Sequence, residues 1–153
     1  MIKHQKSNRK AFTTTEILVV ISLIGIIVLI SFPAFRAYKP SLELSGTVRE
    51  LVTDFRYAEQ LAVAEQINHG VRFSFSPDKY EVVKYGATEM VLKEKLLPSE
   101  VSLHEVDGFT GDEVIFNPYG AVLESGTITL VNTKDSTTVL DIRPSGFVKV
   151  IEQ

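Results

Sequence analysis

An unbroken run of nineteen uncharged residues, Ile17 to Phe35, is the feature that most constrains this chain. A helix rises about 1.5 Å per residue, so the run would cover roughly 28 Å, close to the thickness of the hydrocarbon core of a bilayer. The ten residues from Met1 to Lys10 carry four Lys or Arg and no acid. By the positive-inside rule, such a segment stays in the cytoplasm. The sequence therefore predicts one membrane-spanning helix, a cytoplasmic N-terminus and an exported C-terminal domain.

An ordinary secretory signal is the competing interpretation of the same segment. The apolar core of such a signal is about 7–15 residues long and ends in small residues at a cleavage site. Here the run is longer and ends in Phe32-Pro33-Ala34-Phe35-Arg36, without two small residues spaced for cleavage. Both differences favour a span that stays in the membrane.

Glu16 is the single acid at the front edge of the apolar run. A carboxylate entering a membrane costs on the order of 2.5–3.5 kcal/mol at the helix centre and less near an end, so a compensating partner is expected. One hypothesis is local, because Thr13 to Glu16 fits a capping box in which Thr13 is the N-cap and Glu16 reaches back to a free backbone N–H. The charge also suits the positive end of the helix dipole.

The segment Lys10-Ala11-Phe12-Thr13-Thr14-Thr15-Glu16, followed by the apolar run, resembles the class III leader of type IV prepilins and type II secretion pseudopilins. This resemblance implies that a prepilin peptidase cuts between Ala11 and Phe12 on the cytoplasmic face and methylates the new amino group of Phe12. The family usually has Gly before the cut, where this chain has Ala11. Cleavage would leave 142 of the 153 residues.

The resemblance also gives Glu16 a second hypothetical partner, the α-amino group of Phe12 on a neighbouring subunit. Removing one partner of a buried ion pair typically costs about 3–5 kcal/mol. Replacement of Glu16 is therefore expected to impair assembly more than folding, and the capping and pairing roles can coexist.

The helix is expected to continue beyond the membrane. Pro33 removes one backbone hydrogen bond and should kink the helix rather than end it, and Pro40 should add a bend or a short break. The spacing predicts one long, interrupted helix from residue 13 to about 68, ended by Gly70.

The second half of this helix is amphipathic. Apolar residues recur at alternating steps of four and three, which predicts a buried stripe flanked by Val52 and Val63. The stripe consists of Leu44, Val48, Leu51, Phe55, Ala58 and Ala62. Charged residues are expected mostly away from the stripe, namely Glu50, Asp54, Arg56 and Glu65.

From Val71 onward the hydrophobic period changes to two, which predicts short strands separated by turns. Candidate strands are 71–75, 80–84, 90–96, 101–105, 113–116, 127–131, 138–142 and 147–151. The predicted fold is α+β and pilin-like: a long N-terminal helix, transmembrane and then amphipathic, packed on a C-terminal antiparallel β domain of two small sheets. The expected divisions are a leader (1–11), the transmembrane half-helix (12–36), the amphipathic half-helix (37–69) and the exported β domain (70–153).

Three C-terminal segments resemble the pattern of the GspH/FimT family of minor pseudopilins and minor pilins. They are Phe116-Asn117-Pro118-Tyr119-Gly120, Gly126-Thr127-Ile128-Thr129-Leu130 and Ile142-Arg143-Pro144-Ser145-Gly146-Phe147-Val148-Lys149-Val150. The glycines in them also have a structural explanation, because turns need residues that accept a positive φ or a close approach of backbone. Residues 84–112 match no part of this pattern.

Composition argues against several other functions. Removing the leader takes four of the sixteen basic residues and none of the nineteen acids, which leaves a formal net charge of −7. With no Lys/Arg cluster after residue 40, direct nucleic-acid binding is not expected. The three His residues are scattered and no catalytic motif is present, so no enzyme, cofactor or metal site is predicted. The acidic segment Asp107 to Glu113 is interpreted as a solvated turn rather than a calcium loop.

The resemblance implies a non-enzymatic minor subunit at or near the tip of a type II secretion pseudopilus or a type IV pilus. The implied partners are prepilin peptidase, other pilin or pseudopilin subunits through the N-terminal helix, the inner-membrane assembly platform and the lipid bilayer. The implied location is the bacterial inner membrane and then the filament. Two alternatives stay open: a minor pilin of a DNA-uptake pilus, and an uncleaved single-pass anchored binding module.

Overall fold

The computed structural model of the protein describes residues 12 to 152, apart from the side chain of Ala34. The chain divides after Ala37 into two compact units. In the first unit, the residues from Thr14 onward are helical and their described side chains are exposed. The second unit, Tyr38–Gln153, holds the rest of the helix and the strands.

The strands lie close to the predicted segments. They are β1 (Asn68–Phe75), β2 (Asp78–Tyr85), β3 (Glu89–Leu96), β4 (Val101–Asp107), β5 (Glu113–Phe116), β6 (Gly126–Asn132), β7 (Thr137–Ile142) and β8 (Val148–Glu152). They form two antiparallel sheets of four strands, in the orders β3-β2-β1-β5 and β4-β6-β7-β8. The predicted α+β fold, with a long helix on two small sheets, is confirmed.

Helix α1 runs without interruption from Thr14 to Glu65, a length of 52 residues. Of the bend or short break expected at Pro40, the break is wrong, because the helix continues through this buried proline, and the bend stays a prediction. A proline removes only one helical hydrogen bond, and neighbouring contacts support this turn. Lys39 pairs with Glu43 at 3.3 Å and with Glu100, just before β4, at 3.4 Å.

The end of the helix also differs from the prediction. Gln66, not Gly70, adopts the left-handed conformation that ends the helix, with φ of +56°. The side-chain amide of Gln66 donates to the carbonyl of Val63 at 2.7 Å. Gly70 instead lies buried in β1, where a Cβ would overlap the carbonyl oxygen of Val114 in the neighbouring strand β5. Gly70 is thus explained by the close approach of two strands.

One hydrophobic core joins the second half of α1 to both sheets. All six residues of the predicted helical stripe are buried, whereas Val52 is half-buried and Val63 is 45% exposed, so the stripe is narrower than expected. Phe55 lies at its centre, with ring centroids 6.2 Å from Phe73 of β1 and 6.3 Å from Phe116 of β5. Burying one such side chain stabilises the fold by roughly 1.5–3 kcal/mol.

Candidate functional site

The first half of α1 carries an apolar surface that nothing in the described chain covers. The segment Thr14–Pro33 has a mean hydropathy of 2.6 and no buried residue. By length and composition it can cross a membrane. A helix that is apolar on all sides requires lipid or other helices around it, because exposure of that surface to water is unfavourable.

The start of the helix is capped by Thr13 as predicted, but no backbone N–H among residues 12–152 donates to the Glu16 carboxylate, so the reciprocal half of the predicted capping box is not formed. The backbone N–H of Glu16 donates to Oγ1 of Thr13 at 3.2 Å, and the N–H of Ile17 donates to the carbonyl of Thr13 at 3.2 Å. Phe12 precedes this cap and is 78% exposed. Ala11, on the other side of the predicted cut, lies outside the described residues.

Glu16 borders a shallow apolar hollow of about 280 Å³, lined also by Phe12, Ile17, Val20 and Ile21. Steps of four and five residues place these side chains on one face of the helix. Between residues 12 and 152, no Lys, Arg or His forms an ion pair with Glu16.

The other end of the apolar run is marked by Arg36. Its guanidinium carbon lies 4.5 Å from the ring centroid of Phe32, in a cation–π arrangement. The helix continues through Pro33 between them. The kink at Pro33 stays a prediction.

In the second unit, a buried carboxylate attaches the helix to the first sheet. Asp54 is only 5% exposed, which contradicts its predicted place on the exposed side. It accepts a hydrogen bond from the hydroxyl of Tyr80 in β2 at 2.8 Å and pairs with Nζ of Lys93 in β3 at 2.7 Å. Burial, followed by the bond to Asp54, raises the pKa of Tyr80, and the bond to Asp54 raises the pKa of Lys93. The phenol is therefore neutral and the ammonium charged at neutral pH.

A second polar cluster joins all four strands of the same sheet. Arg72 in β1 donates to Glu89 in β3 and to Glu113 in β5, each at 2.5 Å. The bond to Arg72 lowers the pKa of Glu89, and the carboxylate hydrogen bonds raise that of Arg72. Glu113 also accepts from the hydroxyl of Tyr85. These bonds link strands that are distant in sequence.

The acidic segment Asp107 to Glu113 does not gather its carboxylates. Glu113 pairs with Arg72, and a short 3₁₀ helix, Thr110–Asp112, separates it from Asp107. Among residues 12–152, no group of three or more His, Asp or Glu is arranged to hold a metal ion.

Two of the three family-like glycines occupy the turn positions that their sequence context predicts, whereas Gly126 is the first residue of β6. Gly120 and Gly146 have φ of +80° and +81°, a region that side chains rarely adopt. The two turns lie together, since a Cβ on Gly146 would be 2.5 Å from the carbonyl oxygen of Gly120. Gly126 has a different role, because a Cβ there would overlap the carbonyl oxygen of Asp107 across the β4–β6 pair.

A helix that is apolar and uncovered in its first half, and packed on antiparallel sheets in its second, defines the class of pilin-like subunits. Residues 47–146 match the family model of the type II transport protein GspH. The match covers about two thirds of the chain, which therefore belongs to that family. These minor pseudopilins and pilins serve type II secretion or type IV pili, so the chain is a structural, non-enzymatic subunit that associates with other pilin subunits.

Solved structures of two other proteins share this fold. The minor pseudopilin EpsH from the type 2 secretion system of Vibrio cholerae aligns with a TM-score of 0.61 and 11% identity, over 72% of this chain and 97% of that one. The type IV minor pilin FimU of Pseudomonas aeruginosa PAO1 aligns with a TM-score of 0.60 and 15% identity, over 74% and 92%. At such identities the likeness shows the fold alone. Among curated proteins, none matches this chain significantly.

Proposed function

We propose that the chain is the precursor of a minor pilin or pseudopilin. Prepilin peptidase cuts it between Ala11 and Phe12 and methylates the amino group of Phe12, while the basic leader stays on the cytoplasmic side. The inner-membrane assembly platform then moves the subunit out of the bilayer to a place at or near the tip of a type II secretion pseudopilus or a type IV pilus. The leader-like sequence and the family membership support this proposal.

The observation that carries the proposal is an apolar helix that nothing in the described chain covers, with one carboxylate near its start, Glu16, that has no ion-pair partner between residues 12 and 152. Lipid covers the apolar surface before assembly, and neighbouring helices cover it afterwards through van der Waals packing. Lipid molecules hold no cation at a fixed position beside Glu16. A neighbouring cleaved subunit does, because the α-amino group of its first residue lies at the start of its helix. Pairing of these charges fixes the axial register between helices, because a buried unpaired charge is costly.

The test separates the pairing role of Glu16 from its capping role. In cells that make the filament, Glu16→Ala is expected to leave cleavage and membrane insertion intact but to reduce the amount of subunit in sheared filaments at least tenfold. The matched control is Thr13→Ala, which removes the N-cap but keeps the carboxylate. Loss of an N-cap costs about 0.5–2 kcal/mol of helix stability. Thr13→Ala is therefore expected to reduce incorporation less than Glu16→Ala does. Equal incorporation of Glu16→Ala and the unmodified chain would refute the pairing.

A further inference from the structure

The second sheet ends in a strand whose outer edge is unpaired in the described chain. Strand β8 is the last strand in the order β4-β6-β7-β8. The N–H of Arg143 donates to the carbonyl of Phe147 at 3.0 Å, so these two residues form a hydrogen-bonded pair just before the β7–β8 ladder. Hydrogen-bonded and non-hydrogen-bonded pairs then alternate along the two antiparallel strands. In this register Lys149 and Ile151 bond to β7, whereas Val148, Val150 and Glu152 direct their N–H and C=O groups away from it. These main-chain groups can pair with another strand.

A groove of about 440 Å³ lies between this strand and helix α1. Val48 and Val52 of the helix and Val150 of the strand supply its apolar surface. Val150 is 39% exposed and Val52 is half-buried, so apolar area is open to solvent beside the unpaired main-chain groups. An extended segment placed there gains both hydrogen bonds and apolar contact.

The charges in the groove indicate which segment fits. Arg49 and Arg56 line it, and neither side chain has a hydrogen-bond or ion-pair partner among the described residues. Other cations of this acidic domain, such as Lys79 and Lys95, pair with carboxylates. The one acid in the groove is Glu152, which pairs with neither arginine. The two arginines are seven residues apart on the helix, about 10.5 Å, or about three residues of an extended chain.

We infer that the groove binds an extended acidic segment of another subunit of the same filament, which adds to β8 as a further strand. Its carboxylates meet Arg49 and Arg56, and its apolar side chains cover Val52 and Val150. This inference relies on the proposed function for the class of its partner. It assigns a specific contact to the exported domain, separate from the contacts of the apolar helix.

The test places the photo-cross-linker p-benzoylphenylalanine at position 150 of the full chain, in cells that assemble the filament. Mass spectrometry of the adduct identifies the cross-linked peptide. The expected peptide comes from a different pilin-like subunit and carries two acids about three residues apart. The double variant Arg49→Glu and Arg56→Glu is expected to reduce this adduct at least tenfold. Reversing the two acids of the mapped peptide to Lys is expected to restore it.

Lys149→Glu is the control, because it also replaces a cation by an acid, next to position 150 in β8, but at a residue that does not line the groove. It should leave the adduct unchanged, and unaltered melting of each variant excludes misfolding. An adduct with a second copy of this chain, an adduct indifferent to the arginine reversal, or no protein adduct would overturn the inference. Presence of the subunit in sheared filaments is scored in parallel. Incorporation without the adduct refutes the groove alone, whereas absence from filaments refutes the proposed function.

Discussion

Asp54 lies among the buried residues of helix α1 although its side chain is a carboxylate. Its two partners explain this position. The hydroxyl of Tyr80 and the ammonium of Lys93 come from different strands and both bond to its carboxylate. A buried carboxylate is tolerated when it is paired and hydrogen-bonded. Asp54 therefore fixes the place of the β2–β3 hairpin on the helix.

Asp54→Ala is expected to lower the free energy of unfolding by about 2–3 kcal/mol, because the buried hydroxyl of Tyr80 loses its partner and the ammonium of Lys93 keeps only the more distant Glu50, at 3.7 Å. The measurement is urea unfolding of the full chain in detergent, followed by the near-ultraviolet circular dichroism of its tyrosines.

Glu50→Ala on the same helix is the control for Asp54→Ala. Glu50 is half-exposed and pairs with Lys95 at 3.0 Å and, at the longer distance of 3.7 Å, with Lys93. Exposed ion pairs contribute about 0–1 kcal/mol, so a small effect is expected. If both variants lost the same stability, the special role of Asp54 would be disproved.

The sequence predicts the contacts and burial of a single residue well where they depend on its neighbours in sequence, and poorly where they depend on tertiary contacts. Capping by Thr13 depends on residues three positions apart, so its hydrogen bond could be predicted. Asp54 flanks the apolar stripe, three residues after Leu51 and one before Phe55, and this proximity was the only local signal of its burial. Its partners lie 26 and 39 residues away, and no local pattern could identify them.

At the scale of elements, the glycines are of two kinds: at some a Cβ would overlap neighbouring atoms, and at others a Cβ would fit. Gly126 lies against the main chain of Asp107, which cannot move without breaking the β4–β6 pair. A Cβ added to Gly46, in helix α1, would have open space around it, with no neighbouring atom of the described chain within 4 Å. The same substitution should therefore have opposite effects at the two positions.

Gly126→Ala is expected to lower the melting temperature of the β domain and to reduce its free energy of unfolding by about 1–3 kcal/mol, as is typical of overpacking. Gly46→Ala should raise the stability by up to about 1 kcal/mol, since alanine favours the helix. Thermal unfolding of both full-chain variants in detergent gives the comparison. A stabilised Gly126→Ala would contradict the close approach described for β4 and β6.

Strand positions could be predicted because apolar and polar residues alternate with a period of two within single segments, as in Val71 to Phe75. Strand order could not, since β1 pairs with β5 across more than thirty intervening residues. The end of α1 was wrongly predicted because Gln66 takes a conformation that glycine usually supplies. The groove beside β8 was missed for a similar reason: its arginines and its free strand edge come together only in the folded domain.

At the scale of the whole molecule, ion pairs make stability depend on pH. Hydrogen bonds to Lys84, to Arg72 and to Thr133 are the main causes that lower the carboxyl pKa values of Glu65, Glu89 and Glu100, respectively, below the ordinary 4.5. A carboxyl with a lowered pKa stabilises the fold above pH 4.5 and loses that contribution as pH falls through its folded-state pKa. The domain should thus be more stable at pH 7 than at pH 3.

The melting temperature, measured from pH 7 down to pH 3, is expected to fall mainly below pH 4.5. The double variant Glu65→Gln and Glu89→Gln should melt lower at pH 7 and show a shallower fall, because two of the titrating groups are gone. A melting temperature that is flat or rises on acidification would show that these pairs do not stabilise the fold.

The central claim is that the chain becomes a filament subunit through a cut at Phe12. The most direct test is the intact mass and N-terminal sequence of the protein purified from membranes of cells with prepilin peptidase, compared with cells that lack it. We predict a chain of 142 residues that begins with N-methylated Phe12 only where the peptidase is present. A chain that keeps Met1 or the basic leader in both would contradict the account and favour an uncleaved, anchored domain.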